Sequence, residues 1–277
     1  MHYGHYTTAN ALINIIQSEQ LWATNIKFLN DEQEFLHAIT LAKEIIEKST
    51  ENAEKIKANR STYDEFIKNI TKSLENLDRH HAENIFTCSF SEEKDLLSQW
   101  RGYCPNNQGY CIHFDLDGLL KAAKEKFLSC NIFPCVYDIT EKKKRISTAL
   151  NNNWQEYLKA TDTKKREGII RSLAFEIEQL ASYFKHPSFA EEKERRLVIS
   201  MAWDIEEHAK FRAGPMSIIP YIEVPAPKSL IKEIGIGPTR DQSLARRGLA
   251  ALIDFKFGPL ASFGDVNISE SKIPYRL

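Results

Sequence analysis

Apolar and polar positions alternate at two different periods along the chain, and the period predicts which segments are helices and which are strands. Residues 2–6 are aromatic-rich and compatible with a strand, whereas the apolar residues of 12–16 recur at helical spacing. Thr7 or Thr8 is placed to cap that first helix. The chain is therefore expected to begin with a strand that runs into a helix, and a second short strand follows at 21–24.

Two longer stretches are charged and have the apolar spacing of helices. Residues 31–83 predict a helical hairpin inserted into the fold, and residues 140–184 predict a second helical segment. No linker rich in Pro, Gly or Ser isolates the hairpin. We therefore expect residues 1–277 to form a single domain.

Shorter segments change to the period of strands. The pattern predicts strands at 85–91, 110–114, 130–138, 195–200, 217–224 and 231–236, helices near 96–100, 117–127 and 240–253, a turn at 105–107 and an extended C-terminal tail. Strands occur in clusters with helices grouped between them. This order favours an α+β fold over a regular βαβ alternation.

Composition narrows the classes of function. Of 277 residues, 37 are basic and 38 acidic, so a net charge of −1 gives no global attraction to nucleic acid or to an anionic membrane. No apolar run is long enough for a membrane span, and the N-terminus lacks the pattern of a secretory signal. The five cysteines are odd in number and contain no CxxC. We expect a cytoplasmic protein with reduced thiols and no metal site.

Three short motifs are candidates for chemistry. The first is His5-Tyr6-Thr7 at the end of the first predicted strand, where His5 and Thr7 share a face and could reach one ligand. The alternative is that Thr7 is a helix cap and His5 a half-buried surface residue.

The second motif is Cys88-Ser89-Phe90-Ser91. Ser89 and Ser91 lie on one face of an apolar strand, and buried hydroxyls need partners. Alternatively, Ser91 caps the following helix. Trp100 and Tyr103 are three residues apart on that helix and would form either part of the core or an aromatic surface for a flat ring.

The third motif precedes the strand at 195–200. If that strand begins early, Glu192, Glu194 and Arg196 share a face. Burying such charges lowers the stability of the fold unless they are solvated or take part in function. The alternative is a solvated run of charges. The basic clusters at 142–145 and 164–166 are expected to be solvated helix faces.

These motifs resemble a known bacterial family. The resemblance is carried by His5-Tyr6-Thr7, Phe28-Leu29-Asn30-Asp31 with Glu34, Cys88-Ser89-Phe90-Ser91 with Trp100, Tyr103 and Gly109, Glu192/Glu194/Arg196, and Ile273-Pro274-Tyr275-Arg276. Together they look like the domain-of-unknown-function family 2971. This chain has Phe189 and Arg195 where that family often has Trp and another aromatic residue. The resemblance names no activity, but it implies a role in phage defence.

The order of the motifs also resembles, more distantly, that of ADP-ribosyltransferases. Those enzymes cleave the bond between nicotinamide and ribose in NAD. The resemblance implies central mixed or antiparallel sheets that are split, with a long helical insert. It implies NAD as the substrate and an acceptor that is protein, nucleic acid or water, as in a toxin or an abortive-infection effector.

The same resemblance implies roles for the three motifs. His5, Tyr6 and Thr7 would bind ribose and the nicotinamide amide, Ser89 and Ser91 would support the nicotinamide pocket, and Tyr103 or Trp100 would stack on the ring. Glu194 would lie beside the ribose hydroxyl, with Glu192 orienting the acceptor and Arg196 in the same site. A carboxylate there stabilises the positive charge that develops on ribose as nicotinamide leaves.

Two other functions remain open. Glu191 and Lys193 form an E-x-K that, with Asp31 or Asp162, would bind Mg²⁺ in a nuclease. Alternatively, the chain is a binding or sensor module whose partner surface is the hairpin at 31–83, and the three motifs are structural. Magnesium-dependent cleavage of plasmid DNA would favour the nuclease.

Overall fold

A computed structural model gives the fold of residues 2–29, 32–51, 59–79, 84–104, 109–201, 205–214, 216–258 and 266–274. The strands are β1 His2–Thr8, β2 Gln20–Asn25, β3 Ile85–Ser91, β4 Gly109–Asp115, β5 Cys130–Pro134, β6 Glu194–Ser200, β7 Lys210–Ala213, β8 Ile218–Pro225, β9 Ile231–Ile236 and β10 Asn267–Glu270. The helices are α1 Ala9–Ser18, α2 Glu32–Glu51, α3 Arg60–Arg79, α4 Leu97–Tyr103, α5 Leu116–Lys126, α6 Ile139–Lys159, α7 Thr163–Ser182, α8 Ile205–His208 and α9 Gln242–Phe257.

The strands form one mixed sheet, which confirms the predicted α+β class. Its order is β10-β9-β4-β1-β3-β2-β8-β7, and β6 pairs with both β3 and β5. Only β10 and β9 run parallel among the paired strands described, because every other pair is antiparallel.

Acceptor side chains set where the helices begin. Thr8, and not Thr7, caps α1 by accepting a hydrogen bond from the Ala11 amide at 3.3 Å. Asp138 and Asp162 cap α6 and α7 in the same way, each at 2.8 Å. Such caps satisfy amides that have no partner inside the helix. Asp162 is thus a helix cap, and Asp31, the other carboxylate of the nuclease hypothesis, lies outside the described residues, as does the turn expected at 105–107.

Two apolar clusters hold the sheet between layers of helices. One cluster joins α1, α5 and α9 to the sheet through residues such as Leu12, Leu119 and Leu249. The other joins α2, α3, α6 and α7 to β3 and β6, and includes Phe66 and Tyr157. The two helical stretches predicted from the sequence therefore pack on each other.

The arrangement around β3 creates a gap in the sheet. Along one edge, β3 pairs with β1 at Gly4↔Ser91 and with β2 at Thr24↔Thr87 and Asn25↔Phe86. Its other edge pairs with β6 over its whole length. Strands β1 and β2 thus approach the two ends of the same edge and diverge between them.

Candidate functional site

A cavity of about 390 Å³ opens where β1 and β2 diverge along β3. Pockets of roughly 300–1,000 Å³ are the size that small ligands occupy in proteins. Its described lining is mainly polar and aromatic. The lining residues that the motifs predicted are His5, Tyr6, Thr7, Ser89 and Tyr103.

A smaller cavity of about 40 Å³ adjoins the first. Four residues, namely His5, Tyr6, Ser89 and Tyr103, line both cavities. The smaller one is also lined by Ser91, Gln99, Glu192 and Glu194. The structure therefore brings residues of all three motifs, which are far apart in the sequence, to one place.

Trp100 and Arg196 are not among the described residues that line the two cavities. The Trp100 ring packs edge-on against Tyr6, with ring centroids 4.6 Å apart, and its Nε1 donates to Asp95 at 2.8 Å. Trp100 therefore supports the cavity wall from behind, and Tyr103 is the aromatic residue of α4 that faces the space.

His5 bridges the gap between the diverging strands. Its Nδ1 lies 3.0 Å from the Ser89 carbonyl oxygen, which can only accept, so Nδ1 carries the proton. Burial lowers the pKa of His5, and the bond to Ser89 opposes this only in part. The imidazole is therefore neutral, and its Nε2 is left as a hydrogen-bond acceptor.

Strand register places the other groups relative to His5. Antiparallel partners share a face, so Ser91 lies on the face of Glu194, and the pair Gly4↔Ser91 puts His5 on the opposite face, beside Phe90. The rings of His5 and Phe90 are 5.8 Å apart. The gap in the sheet is what lets residues of both faces line the same cavities.

The hydroxyls of Tyr6 and Ser91 hold the segment that follows β3. Ser91 donates to the Glu192 carbonyl at 2.6 Å and accepts from the Glu93 amide at 3.0 Å. Tyr6 donates to the Glu93 carbonyl at 2.7 Å. Ser91 is therefore not a helix cap, since the cap position of α4 is Leu96. The Ser89 hydroxyl makes no hydrogen bond to a described residue and faces the cavities.

The carboxylates of the third motif meet at a lysine. Strand β6 begins only at Glu194, and Glu192 ends a short 3-10 helix, so Glu192 does not share a strand face with Arg196 as the sequence suggested. Lys193, which lies between Glu192 and Glu194, has a left-handed φ of 42°. This turn brings both carboxylates to the Nζ of Lys185, which lies 2.7 Å from Glu192 and also binds Glu194.

Glu194 is buried and ionised. Burial alone would raise its pKa, but Arg196 at 2.7 Å and Lys185 together lower the pKa of Glu194 to about 2. Arg196 is 2% exposed and also donates to the Ser182 carbonyl at 3.1 Å. Glu192, Glu194 and Arg196 thus belong to a buried network, whereas Lys193 of the same run of charges is exposed.

Two further residues that the sequence did not indicate hold this network. The Glu194 amide donates to the Tyr137 hydroxyl at 2.8 Å, and the Lys142 amine donates to the Lys185 carbonyl at 2.6 Å. Lys142 was expected on a solvated face but is 3% exposed. Its apolar neighbours at helical spacing, such as Ile146, were the signal that could have revealed its burial.

The fold and the site define an α+β protein with a cavity, lined by polar and aromatic residues, in a gap of one mixed sheet. A family model described as "Protein of unknown function (DUF2971)" matches residues 99–197. This match confirms the family resemblance for the segment from α4 to β6, which includes Glu192, Glu194 and Arg196. No curated protein and no solved structure matches the chain.

None of the described helices is long and apolar enough to cross a membrane. Within the same residues, no three or more His, Cys, Asp or Glu side chains form a group that could hold a metal ion.

Proposed function

We propose that this protein binds NAD in the cavity and cleaves the bond between nicotinamide and ribose, passing ADP-ribose to an acceptor or to water. The observation that carries the proposal is the convergence of His5, Ser89 and Glu194 around the gap along β3. The divergence of β1 and β2 along β3 is consistent with the split sheet that the resemblance implies.

The groups around His5 can form hydrogen bonds to nicotinamide, the leaving group. Neutral His5 offers Nε2 as an acceptor and the Ser89 hydroxyl can donate, so together they match the NH₂ and C=O of a carboxamide. Tyr103 offers an aromatic face that lines both cavities. Fixed groups of this kind orient the nicotinamide for departure.

The Glu194 carboxylate can stabilise the positive charge that develops on the ribose. When the C–N bond breaks, its electron pair leaves with nicotinamide, and positive charge develops on the ribose. An acceptor oxygen or nitrogen then forms the new bond to ribose and loses its proton. Lys185 and Arg196 keep Glu194 anionic, and its carboxylate retains acceptor capacity beyond the two ion pairs.

The test is nicotinamide release from NAD by the purified chain, with and without cell extract. We expect release by the wild type and its loss in Glu194→Gln, with Glu192→Gln showing whether the second carboxylate is needed. Glu141→Gln removes a carboxylate from an exposed ion pair on α6 and is the matched control. Folding of each variant is checked by circular dichroism. Absence of release under every condition, with no thermal stabilisation by NAD, would refute the proposal.

One observation favours a second candidate, a binding module without catalysis. Both carboxylate oxygens of Glu194 are already held by Lys185 and Arg196, as in a purely structural network. In that case Glu194→Gln would lower stability as much as it lowers any biological effect. Glu194→Gln therefore separates the two candidates. Catalysis predicts that the variant stays folded but loses nicotinamide release, whereas a binding module predicts that any loss of biological effect accompanies a loss of stability.

A further inference from the structure

The side chains that line the larger cavity include three buried polar atoms without a hydrogen-bond partner. They are Gln20 Oε1, Thr87 Oγ1 and Arg212 Nε, none of which has a partner among the described residues. A buried polar atom left unpaired costs stability, so such atoms are uncommon in native proteins. A ligand in the cavity would supply the missing partners once these side chains turn towards it.

Arg212 gives the cavity its charge. It is the one charged side chain among the described residues that line the cavity, and no carboxylate of the described chain pairs with it. Burial is the main cause that lowers the pKa of Arg212. An anion placed in the cavity would offset that cost, because it would pair with a guanidinium that is already partly desolvated.

The geometry holds Arg212 ready for such an anion. Its Nη2 donates to Thr24 Oγ1 at 3.1 Å, and its guanidinium lies 5.6 Å from the centre of the Trp22 ring. These contacts orient the guanidinium, and its other N–H groups have no hydrogen-bond partner among the described residues. A fixed fork of N–H groups suits a phosphate oxygen pair.

The three atoms lie on the same side of the sheet. Thr24 pairs directly with Thr87, and Gln20 is on the same face of β2 but lies four residues, or roughly 13 Å, further along the strand towards the Ser89 end. Thr87 is two residues from Ser89, which is roughly 7 Å along a strand. The Thr87 hydroxyl is therefore separated from the Ser89 side of the cavity by a distance that a ribose can span.

We propose that Arg212 and Thr87 form a phosphate subsite of the cavity. This inference rests on the proposed function in one respect, which is that the phosphate would be the one attached to the nicotinamide ribose of NAD. The Arg212 guanidinium and the Thr87 hydroxyl donate to phosphate oxygens, whereas Gln20 Oε1 can only accept and would face a hydroxyl or amide group of the ligand.

The test compares two probes that differ by one phosphate, nicotinamide mononucleotide and nicotinamide riboside, by calorimetric titration of the full chain. The variant Arg212→Met removes the charge and keeps an unbranched stem over Trp22. The control Lys210→Met removes a charge two residues away on the same strand, where Lys210 pairs with Glu223 at the surface. Thr87→Val removes the hydroxyl with little change in shape.

We expect the wild type and Lys210→Met to bind the mononucleotide roughly ten- to a hundredfold more tightly than the riboside. Arg212→Met should lose this preference while its affinity for the riboside is unchanged, and Thr87→Val should lose part of it. An unchanged preference in a folded Arg212→Met protein would overturn the subsite.

Failure of the subsite and failure of the NAD proposal give different results. If NAD is cleaved and the KM of Arg212→Met equals that of the wild type, the subsite is wrong and the NAD proposal stands. If neither nicotinamide probe binds, pyrophosphate is titrated instead. Binding of pyrophosphate that Arg212→Met abolishes would support a phosphate subsite without NAD, and no binding would overturn it.

Discussion

His5 of β1 and Ser89 of β3 are joined by a hydrogen bond at the point where the backbone pairing of their strands has ended. The Nδ1 of His5 lies 3.0 Å from the Ser89 carbonyl, whereas the two strands pair through their backbones only at Gly4↔Ser91 among the described residues. The side chain thus replaces a ladder hydrogen bond. It connects the two walls of the gap and still leaves room for the cavity.

Replacing His5 should therefore affect stability according to whether the new residue can donate to Ser89. We expect His5→Phe to lower the free energy of unfolding by about 1–3 kcal/mol, because the Ser89 carbonyl then lacks its partner. His5→Asn, whose amide can donate, should lose less. Urea unfolding at pH 7 measures both. Equal stability of His5→Phe and the wild type would show that the bond contributes nothing.

Lys185 should be required for the two carboxylates that it holds. It is 1% exposed, so Lys185→Met leaves Glu192 and Glu194 near each other without their shared cation. We expect a loss of about 3–5 kcal/mol in unfolding free energy at pH 7. Adding Glu194→Gln to Lys185→Met should recover part of the loss, because one buried charge is removed.

The control variant for Lys185→Met is Lys193→Met. Lys193 is exposed and pairs with Glu93 at the surface, so its replacement should change stability little. If the effects of Lys185→Met and Glu194→Gln simply add in the double variant, the two residues are not coupled and the buried network is not held by Lys185.

The sequence predicted most of the elements that build the site because their periodicity is local. The strand at 85–91 and that at 231–236 have the bounds that were expected, and Ser89 and Glu194 lie on neighbouring strands. Apolar alternation within a strand is imposed by burial and can be recognised without its partners. The three motifs were therefore placed on elements that do meet in the fold.

What the sequence did not predict depends on contacts between distant segments. Lys185 and Arg212 look like ordinary surface cations, and β7, which carries Arg212, is only four residues long. Lys185 is buried and Arg212 half-buried through contacts with segments that are distant in the sequence, which local periodicity does not reveal. The burial of Lys142 is hard to predict for a related reason, since its place within a basic run outweighs the sign given by apolar neighbours such as Ile146.

His113 should make the protein less stable in mild acid. Its side chain is 1% exposed, and neither ring nitrogen has a partner among the described residues. Burial lowers the pKa of His113 to about 4, although Glu233 opposes the shift and Lys94 and His2 reinforce it. The unfolded state, with the pKa near 6.5, therefore binds more protons than the folded state between these values.

It follows that the stability due to neutral His113 is complete above about pH 7 and is lost as the pH falls towards 4. The expected loss is about 2 kcal/mol at pH 5. His113→Asn does not titrate, so its unfolding free energy should fall less between pH 7 and pH 5 than that of the wild type. Parallel curves for the two proteins would contradict the assignment, because His5 and the carboxylates titrate in both.

Gly4 should be required for the close approach of β1 and β4. A Cβ at this position would overlap the sulfur of Cys111 and lie 3.0 Å from Cε1 of His113, both on the paired strand. We expect Gly4→Ala to cost about 1–3 kcal/mol, since β1 must shift to make room. That shift would also move His5 relative to Ser89 and should weaken ligand binding in the cavity.

The double variant Gly4→Ala/Cys111→Ala separates this clash from a general effect of alanine. Removing the sulfur makes room for the new methyl group, so the double variant should be more stable than the sum of the two single changes predicts. Gly102→Ala is the control, because a Cβ there meets no atom within 4 Å and alanine favours the helix α4. If Gly4→Ala is as stable as Gly102→Ala, β1 has more freedom than its packing indicates, and His5 is not held in place by this contact.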